Sequence, residues 1–417
     1  MLVSRKNLFL TLNYIFIVGI LFSVTNFSFG PMAGKLKFIF IFYCIWDCFY
    51  GGNCKWNKRV IFIISVLVLY VVLWGTVFKN NVVAGEIESH CIMMSYYLIL
   101  LFFSYSEISK YRCINGYISS SYFACITVLF IQFMLHFREI VKNPLYIFKA
   151  IFSTMRVRSS FGFLHVNYVG NICFVAFILS YFFSIQFREK GKNKTYKMLL
   201  VAFSNIVCYF MLISTSSRAA ILSSIIFFIC VFISKKYEHI NISKIAKIYM
   251  LFATIITIIC VFLIAIKTGL LDYIWLNSNR QLNVSQNLPL VKVIGNIWTG
   301  MGFVDNSVFI PSWSNSTGLT SAFGASTSSV DIYYVYLFCS TGIFGCTIIG
   351  SILLYIAYVL WKQKNLKNRN IYISIYISIL FYAFWESVIF SYRFWSMLIL
   401  TVLLLCAVEG IPEKTWN

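Results

Sequence analysis

Charge is what this chain has least of. Only 11% of its 417 residues are charged, and the acidic share is smaller still, with 13 Asp and Glu against 34 Lys and Arg. Hydrophobic residues make up 60%, and the mean hydropathy of +0.82 lies far above what filling one soluble core requires. That excludes an ordinary water-soluble domain. Length then does not count domains, and residues 1–417 read as a single transmembrane domain. Each span satisfies its own backbone hydrogen bonds and packs against its neighbours in lipid.

Other absences narrow the field. A net charge of +21 without an RNP motif, zinc finger or long basic helix does not make a nucleic-acid partner, because the basic residues sit mostly in short segments between apolar runs. The 13 cysteines show no disulfide framework. Most, such as Cys208, Cys230, Cys260 and Cys339, lie inside apolar runs as small buried hydrophobes. Cys44, Cys48 and Cys54 lack C-x-x-C spacing and a nearby histidine, and His90, His136, His165 and His239 are dispersed, so no metal site is expected. The basic, then apolar, start resembles a signal peptide but has no small-x-small cleavage site, which predicts an uncleaved first helix. No internal repeat or inverted symmetry of the transporter kind is present.

What is present is a succession of apolar runs, each near the length a helix needs to cross the hydrocarbon core. They predict an all-α polytopic bundle of about twelve transmembrane helices. The spans fall at 8–24, 36–50, 60–78, 90–104, 114–136, 166–187, 197–213, 219–234, 248–266, 331–361, 371–387 and 392–409. With the N-terminus cytoplasmic, most of the Lys and Arg fall on the inner side and both termini are cytoplasmic. Two long connections, 137–165 and 267–330, fall outside. Leu145 to Met155 in the first reads as an interfacial helix. The second, rich in Ser, Asn and Gly, is read as a functional loop rather than a tether.

The informative basic residues are those on the outer side: Arg156, Arg158, Arg218 and Arg280. Arg218 sits in a nearly unbroken apolar passage with no acidic residue close in sequence. It either faces a polar cavity or an anion, or snorkels and caps a helix end. Arg156 and Arg158 precede a stretch holding Gly162, His165, Asn167, Gly170 and Asn171, which carries polar groups one turn into a span. His165 reads as part of a site or as an interfacial histidine satisfied by water. Several arginines without a metal-binding carboxylate cluster suit a phosphate or pyrophosphate, which guanidinium binds bidentately. Outer-side acids are few: Glu86, Glu88, Glu139, Asp272, Asp305, Asp331 and Glu386. Asp331, where the large loop enters a span, is a candidate general base or a helix N-cap. Gly300-Met301-Gly302 lacks the spacing of a phosphate-cradling loop and reads as a turn.

These segments are similar, in order, to motifs of the O-antigen polymerase and ligase superfamily. Arg158-Ser-Ser-Phe-Gly162-Phe-Leu-His165-Val-Asn167 resembles its R-x-S-F-G-F-x-H-P-N signature, with Val166 in place of proline. Ser214-Thr-Ser-Ser217-Arg218-Ala resembles its T-x-S-R-G/A segment. Arg280 followed by Asn296-Ile-Trp-Thr-Gly300-Met-Gly302-Phe resembles its loop segment, and Asp331 to Gly345 the start of the next span. The likeness covers roughly residues 150–350. The ligases carry His-Asn where this chain has Asp331-Ile332, which favours a Wzy-type polymerase.

The resemblance implies a GT-C-like bundle in the bacterial cytoplasmic membrane, with a large extracytoplasmic loop before the tenth helix. It implies a glycosyltransferase that joins undecaprenyl-pyrophosphate-linked repeat units into O-antigen, capsule or exopolysaccharide at the outer leaflet, without cofactor or metal. A chain-length regulator and a flippase are expected partners, and nucleic acid is not. Arg158, Arg218 and Arg280 would then meet the leaving pyrophosphate, and Arg156 a second phosphate or the lipid surface. Asp331 or His165 would deprotonate or orient the acceptor. Asn167, Gly162, Gly170, Ser217 and Gly302 would support them. The alternatives are a ligase moving finished polymer, or a lipid-linked oligosaccharide flippase or other transporter.

Overall fold

The apolar runs become helices because a helix pairs the amides and carbonyls of each span within that span, where lipid offers them no partner. The structure is a computed structural model and describes residues 4–50, 56–138, 159–188, 194–215, 217–238, 291, 296–305, 330–363, 366 and 368–411. The helices are α1 (Arg5–Ser23), α2 (Leu36–Tyr50), α3 (Lys58–Val72), α4 (Ala84–Tyr111), α5 (Ile114–Leu135), α6 (Val166–Arg188), α7 (Lys194–Ser214), α8 (Arg218–Glu238), α9 (Tyr333–Lys362), α10 (Arg369–Tyr382) and α11 (Ser396–Glu409). Among the described residues β-structure is limited to two isolated bridges.

Among the described residues, six stretches are long and apolar enough to cross a membrane: Arg5–Ser23, Lys58–Val77, Asn81–Tyr111, Ile114–Arg138, Val166–Ile185 and Tyr333–Lys362. Shorter apolar helices cover Met198–Ser214, Arg218–Ser234 and Ser396–Glu409. The chain is therefore an all-α, membrane-embedded protein. Helices lie over every expected span within the described residues, while the expected span 248–266 lies outside them. The expected interfacial helix from Leu145 to Met155 and most of the 267–330 loop lie outside them too. The fourth span proves longer than its apolar run, and the last begins at Ser396, which leaves Tyr392 and Arg393 in the connection before it.

Polar side chains inside the bundle bond across helices, as they must where no water is available. Asn13 of α1 donates to Ser120 and Ser121 of α5 at 2.8 and 3.3 Å, and the Tyr14 hydroxyl meets that of Thr127 at 3.0 Å. Tyr122 bonds Ser204 of α7, and Ser396 of α11 donates to Asn171 of α6. One end of the bundle is ionic. Buried Asp47 pairs with Lys110, accepts from the Tyr111 hydroxyl at 2.8 Å and lies 3.7 Å from Arg5. Glu409 accepts from Tyr105 at 2.6 Å and Ser109 at 2.8 Å, and pairs with Arg112 at 3.4 Å. Arg5, Lys110 and Arg112 are residues that the charge pattern assigns to the cytoplasmic side.

The other end is irregular. Helix α9 breaks at Gly342, whose φ of 64° and ψ of −162° are not helical. A break inside a bundle leaves amides and carbonyls to be satisfied, and segment 296–302 supplies the partners. Met301 N donates to Cys339 O at 2.8 Å and Gly302 N to Ser340 O at 3.2 Å. In return Ile343 N donates to Ile297 O and Phe344 N to Trp298 O, each at 3.0 Å. The turn closes on itself through Gly300 N and Asn296 O at 2.6 Å, as its composition predicts. Trp74, in the π-helical turn Leu73–Val77 that ends α3, pins it by donating to Thr299 O at 3.0 Å.

Candidate functional site

The polar residues of the irregular end form a line rather than a scatter. It starts at Asn167, in the first turn of α6, whose side-chain amide donates to Glu386 Oε1 at 2.7 Å. Glu386 is buried at 4% exposure, beyond the end of α10, in a turn-rich stretch that runs to α11. Arg393 stands in the same stretch and interacts with Glu386, with Asp305 and with the Tyr168 hydroxyl. Burial alone would lower the pKa of its guanidinium, but Tyr168, Asp305 and Glu386 outweigh it and raise it. The line continues from Asp305 to the Tyr392 hydroxyl. Burial, and then the Asp305 carboxylate, raise that phenol, so it remains a donor. Tyr392 meets His90 Nδ1 of α4 at 3.1 Å, and His90 Nε2 meets the Tyr336 hydroxyl of α9 at 3.4 Å. Tyr336 donates to Val304 O at 2.6 Å.

A small cavity of about 30 Å³ opens beside this line. Its polar lining is His90, Asp305, Ser387, Ser391, Tyr336 and Tyr392, and its apolar floor includes Leu67, Met94, Leu98 and Ile349. Along α4, His90, Met94 and Leu98 lie four residues apart and so share one face. Phe390, also in the lining, has a φ of 48°. That left-handed conformation costs a bulky residue about 1–2 kcal/mol and is held by its surroundings.

The segments singled out from sequence assemble around this line in two pairs. Ser159 N donates to Ser214 O at 3.1 Å, which joins the first motif to the second. A Cβ on Gly170 would meet Ser217 Oγ at 2.7 Å, so the small residue lets α6 approach the start of α8. The third and fourth motifs are joined by the four backbone bonds around the α9 break. Asn167, Glu386, Arg393 and Asp305 link one pair to the other, and the Ser387 hydroxyl donates to Asp331 O at 3.1 Å.

Individual residues take distinct places. Arg218 is the first residue of α8, half-buried, next to buried Ser217. His165 is exposed, and its Nδ1 accepts from Asn167 N at 3.2 Å, so it caps the start of α6. Asp331 precedes α9 by one residue more than an N-cap would, since Ile332 holds that position. Gly162 has a φ of 72°, a backbone conformation that favours glycine, and a Cβ there would also displace the His136 ring, whose Nε2 would lie 2.3 Å away. Gly302, with a φ of 142°, packs against Val83 and Ile87. Arg156, Arg158 and Arg280 lie outside the described residues.

Sequence reasoning named Glu386 and Asp305 among the outer-side acids without singling them out, and it passed over Arg393, His90 and Tyr392. Arg393 meets the same criterion as Arg218, an arginine at the outer end of an apolar run, so that signal was present. His90 carried none, because one buried histidine resembles any other until its partners are known.

Glu386→Gln should keep an acceptor for Asn167 while removing the charge that Arg393 faces. A loss of about 1.5 kcal/mol is expected, the scale of a hydrogen bond to a charged group. It should appear as a lower melting temperature of the detergent-solubilised protein, and an unchanged one would count against the Glu386–Arg393 interaction. Compared with known proteins, the chain matches no protein-family model and no curated protein sequence.

Proposed function

We propose that this protein is a Wzy-type polymerase, a glycosyltransferase that joins undecaprenyl-pyrophosphate-linked repeat units at the outer leaflet of a bacterial cytoplasmic membrane. The observation that carries the reading is the meeting of the motif segments 159–167, 214–218, 296–303 and 331–345 at one end of the bundle, beside a polar-rimmed cavity. The ionic end, with Arg5, Lys110 and Arg112, is then cytoplasmic, as are both termini, and the motif end faces outward. Twelve spans in a GT-C-like bundle complete this picture.

In this reading an acceptor hydroxyl attacks the anomeric carbon of the growing chain, and undecaprenyl pyrophosphate leaves. Arg158, Arg218 and Arg280 meet the charge that grows on the pyrophosphate. Arg156 meets a second phosphate or the lipid surface. His165 and Asp331, at the rims of the two motif pairs, orient the acceptor.

The test is deletion of the gene, with lipid-linked and surface glycans resolved by length. A polymerase leaves single repeat units on the lipid carrier. Long polymer retained on the carrier would mean a ligase, and repeats confined to the cytoplasmic leaflet a flippase.

A further inference from the structure

At the ionic end of the bundle two buried carboxyl groups face each other. Asp47, in the last turns of α2, and Glu107, in the last turns of α4, are fully buried and lie within hydrogen-bonding reach of one another. Asp47 Oδ2 takes the Lys110 ammonium and the Tyr111 hydroxyl, and Lys110 also donates to Asp47 O at 2.9 Å. Asp47 Oδ1 and both Glu107 oxygens meet no N–H or O–H donor of the described residues. A buried carboxylate without a donor on either oxygen is among the most costly groups a protein can hold. One proton removes that cost. As a carboxylic acid Glu107 has a hydrogen to donate, and Asp47 Oδ1 is the acceptor left for it.

We infer that Glu107 and Asp47 form a proton-binding site at the cytoplasmic end, in which Glu107 carries the proton and donates it to Asp47, and that loss of this proton loosens α2 from α4. The charges balance in that state. Lys110 neutralises Asp47, while Arg5, 3.7 Å from Asp47 Oδ1, is 45% exposed and screened by water. With Glu107 ionised as well, two carboxylates would share one buried ammonium and repel each other across the α2–α4 contact. Glu107 lies past the apolar run 90–104, among the charged side chains of the bundle end, so protons reach it from the aqueous side.

The other groups around the pair add no charge. Tyr43 and Cys44 approach from α2, Tyr111 from α4 and Cys113 from the residue before α5. These phenols and thiols are neutral at physiological pH, so Lys110 of α4 and Arg5 of α1 are the charges the pair meets. Glu409 of α11 is occupied separately by Tyr105, Ser109 and Arg112. In an unfolded chain a glutamate releases its proton at about pH 4.3. Above that pH folding takes up a proton, so stability falls as pH rises until the folded pair releases it too. A rise in cytoplasmic pH thus weakens this end of the bundle, whatever chemistry the other end performs.

The test uses the full chain purified in detergent. Its melting temperature should fall by about 1–3 °C for each pH unit between about pH 6 and 8. Glu107→Gln, whose amide donates to Asp47 without titrating, should hold a flat profile over that range. In the infrared, the wild-type protein should show the carbonyl stretch of a protonated carboxyl that Glu107→Gln lacks, and this band should fade together with the melting temperature. An equal slope in Glu107→Gln, or the same band in it, would overturn the site. If Glu107→Gln does not fold, the wild-type profiles decide: a melting temperature that holds as pH rises, or no carboxyl band that fades with it, would overturn the inference. The polymerase reading is tested separately by the deletion strain.

Discussion

Gly342→Ala is expected to abolish recovery of monodisperse protein. The backbone at Gly342 has a positive φ of 64°, a region that costs an L-residue about 1–2 kcal/mol before any contact is counted. The added Cβ would lie 2.5 Å from the backbone carbon of Trp298 and 2.6 Å from Thr299 N, atoms that cannot rotate away. Relief would require withdrawing segment 296–302 from the α9 break, which would strand the amides of Met301, Gly302, Ile343 and Phe344. Each unpaired buried group adds about 1–3 kcal/mol, so four of them approach the roughly 5–15 kcal/mol by which a whole protein is stable. Gly350→Ala on the same helix is the control, because nothing lies within 4 Å of a Cβ there. Size-exclusion profiles of fluorescent fusions should show a normal peak for Gly350→Ala and aggregate for Gly342→Ala. A normal Gly342→Ala peak would mean that the interlock is not what holds this end together.

Arg218→Lys is expected to stop polymer formation while the protein still accumulates in the membrane. Arg218 opens α8 beside the close approach of Gly170 to Ser217, at the end of the bundle where Asn167 and Glu386 meet. Lysine keeps the charge but loses the planar fork that grips two phosphate oxygens at once. If Arg218 only snorkelled at a helix end, lysine would serve equally well, because its stem is long enough to do so. The length ladder in a complemented deletion strain separates the two: single repeats in the variant support pyrophosphate binding, and a normal ladder removes that role.

The helices were legible in the sequence because lipid makes one demand of every span, and apolar runs of the right length answer it. The break in α9 was not legible. Gly300-Met301-Gly302 reads as a turn, yet spacing alone does not show that Gly300 and Gly342 belong to one interlock. The candidate site was legible in fragments. Arg218, His165, Asn167 and Asp331 stood out as polar groups at the ends of apolar runs, and the structure brings Asn167 directly to Glu386. His165 and Asp331 lie at the edge, one capping α6 and the other bonded through its carbonyl to Ser387.

Scarce charge and long apolar runs alone determined that this is a membrane protein of many helices. Which polar residues touch was decided by tertiary structure. Helix periodicity reports which residues share a face, but contacts such as those of Asn167 with Glu386, or His90 with Tyr392, join residues more than two hundred positions apart. These depend on how whole helices stack and on where an irregular segment tucks into a broken one, and no local pattern encodes either.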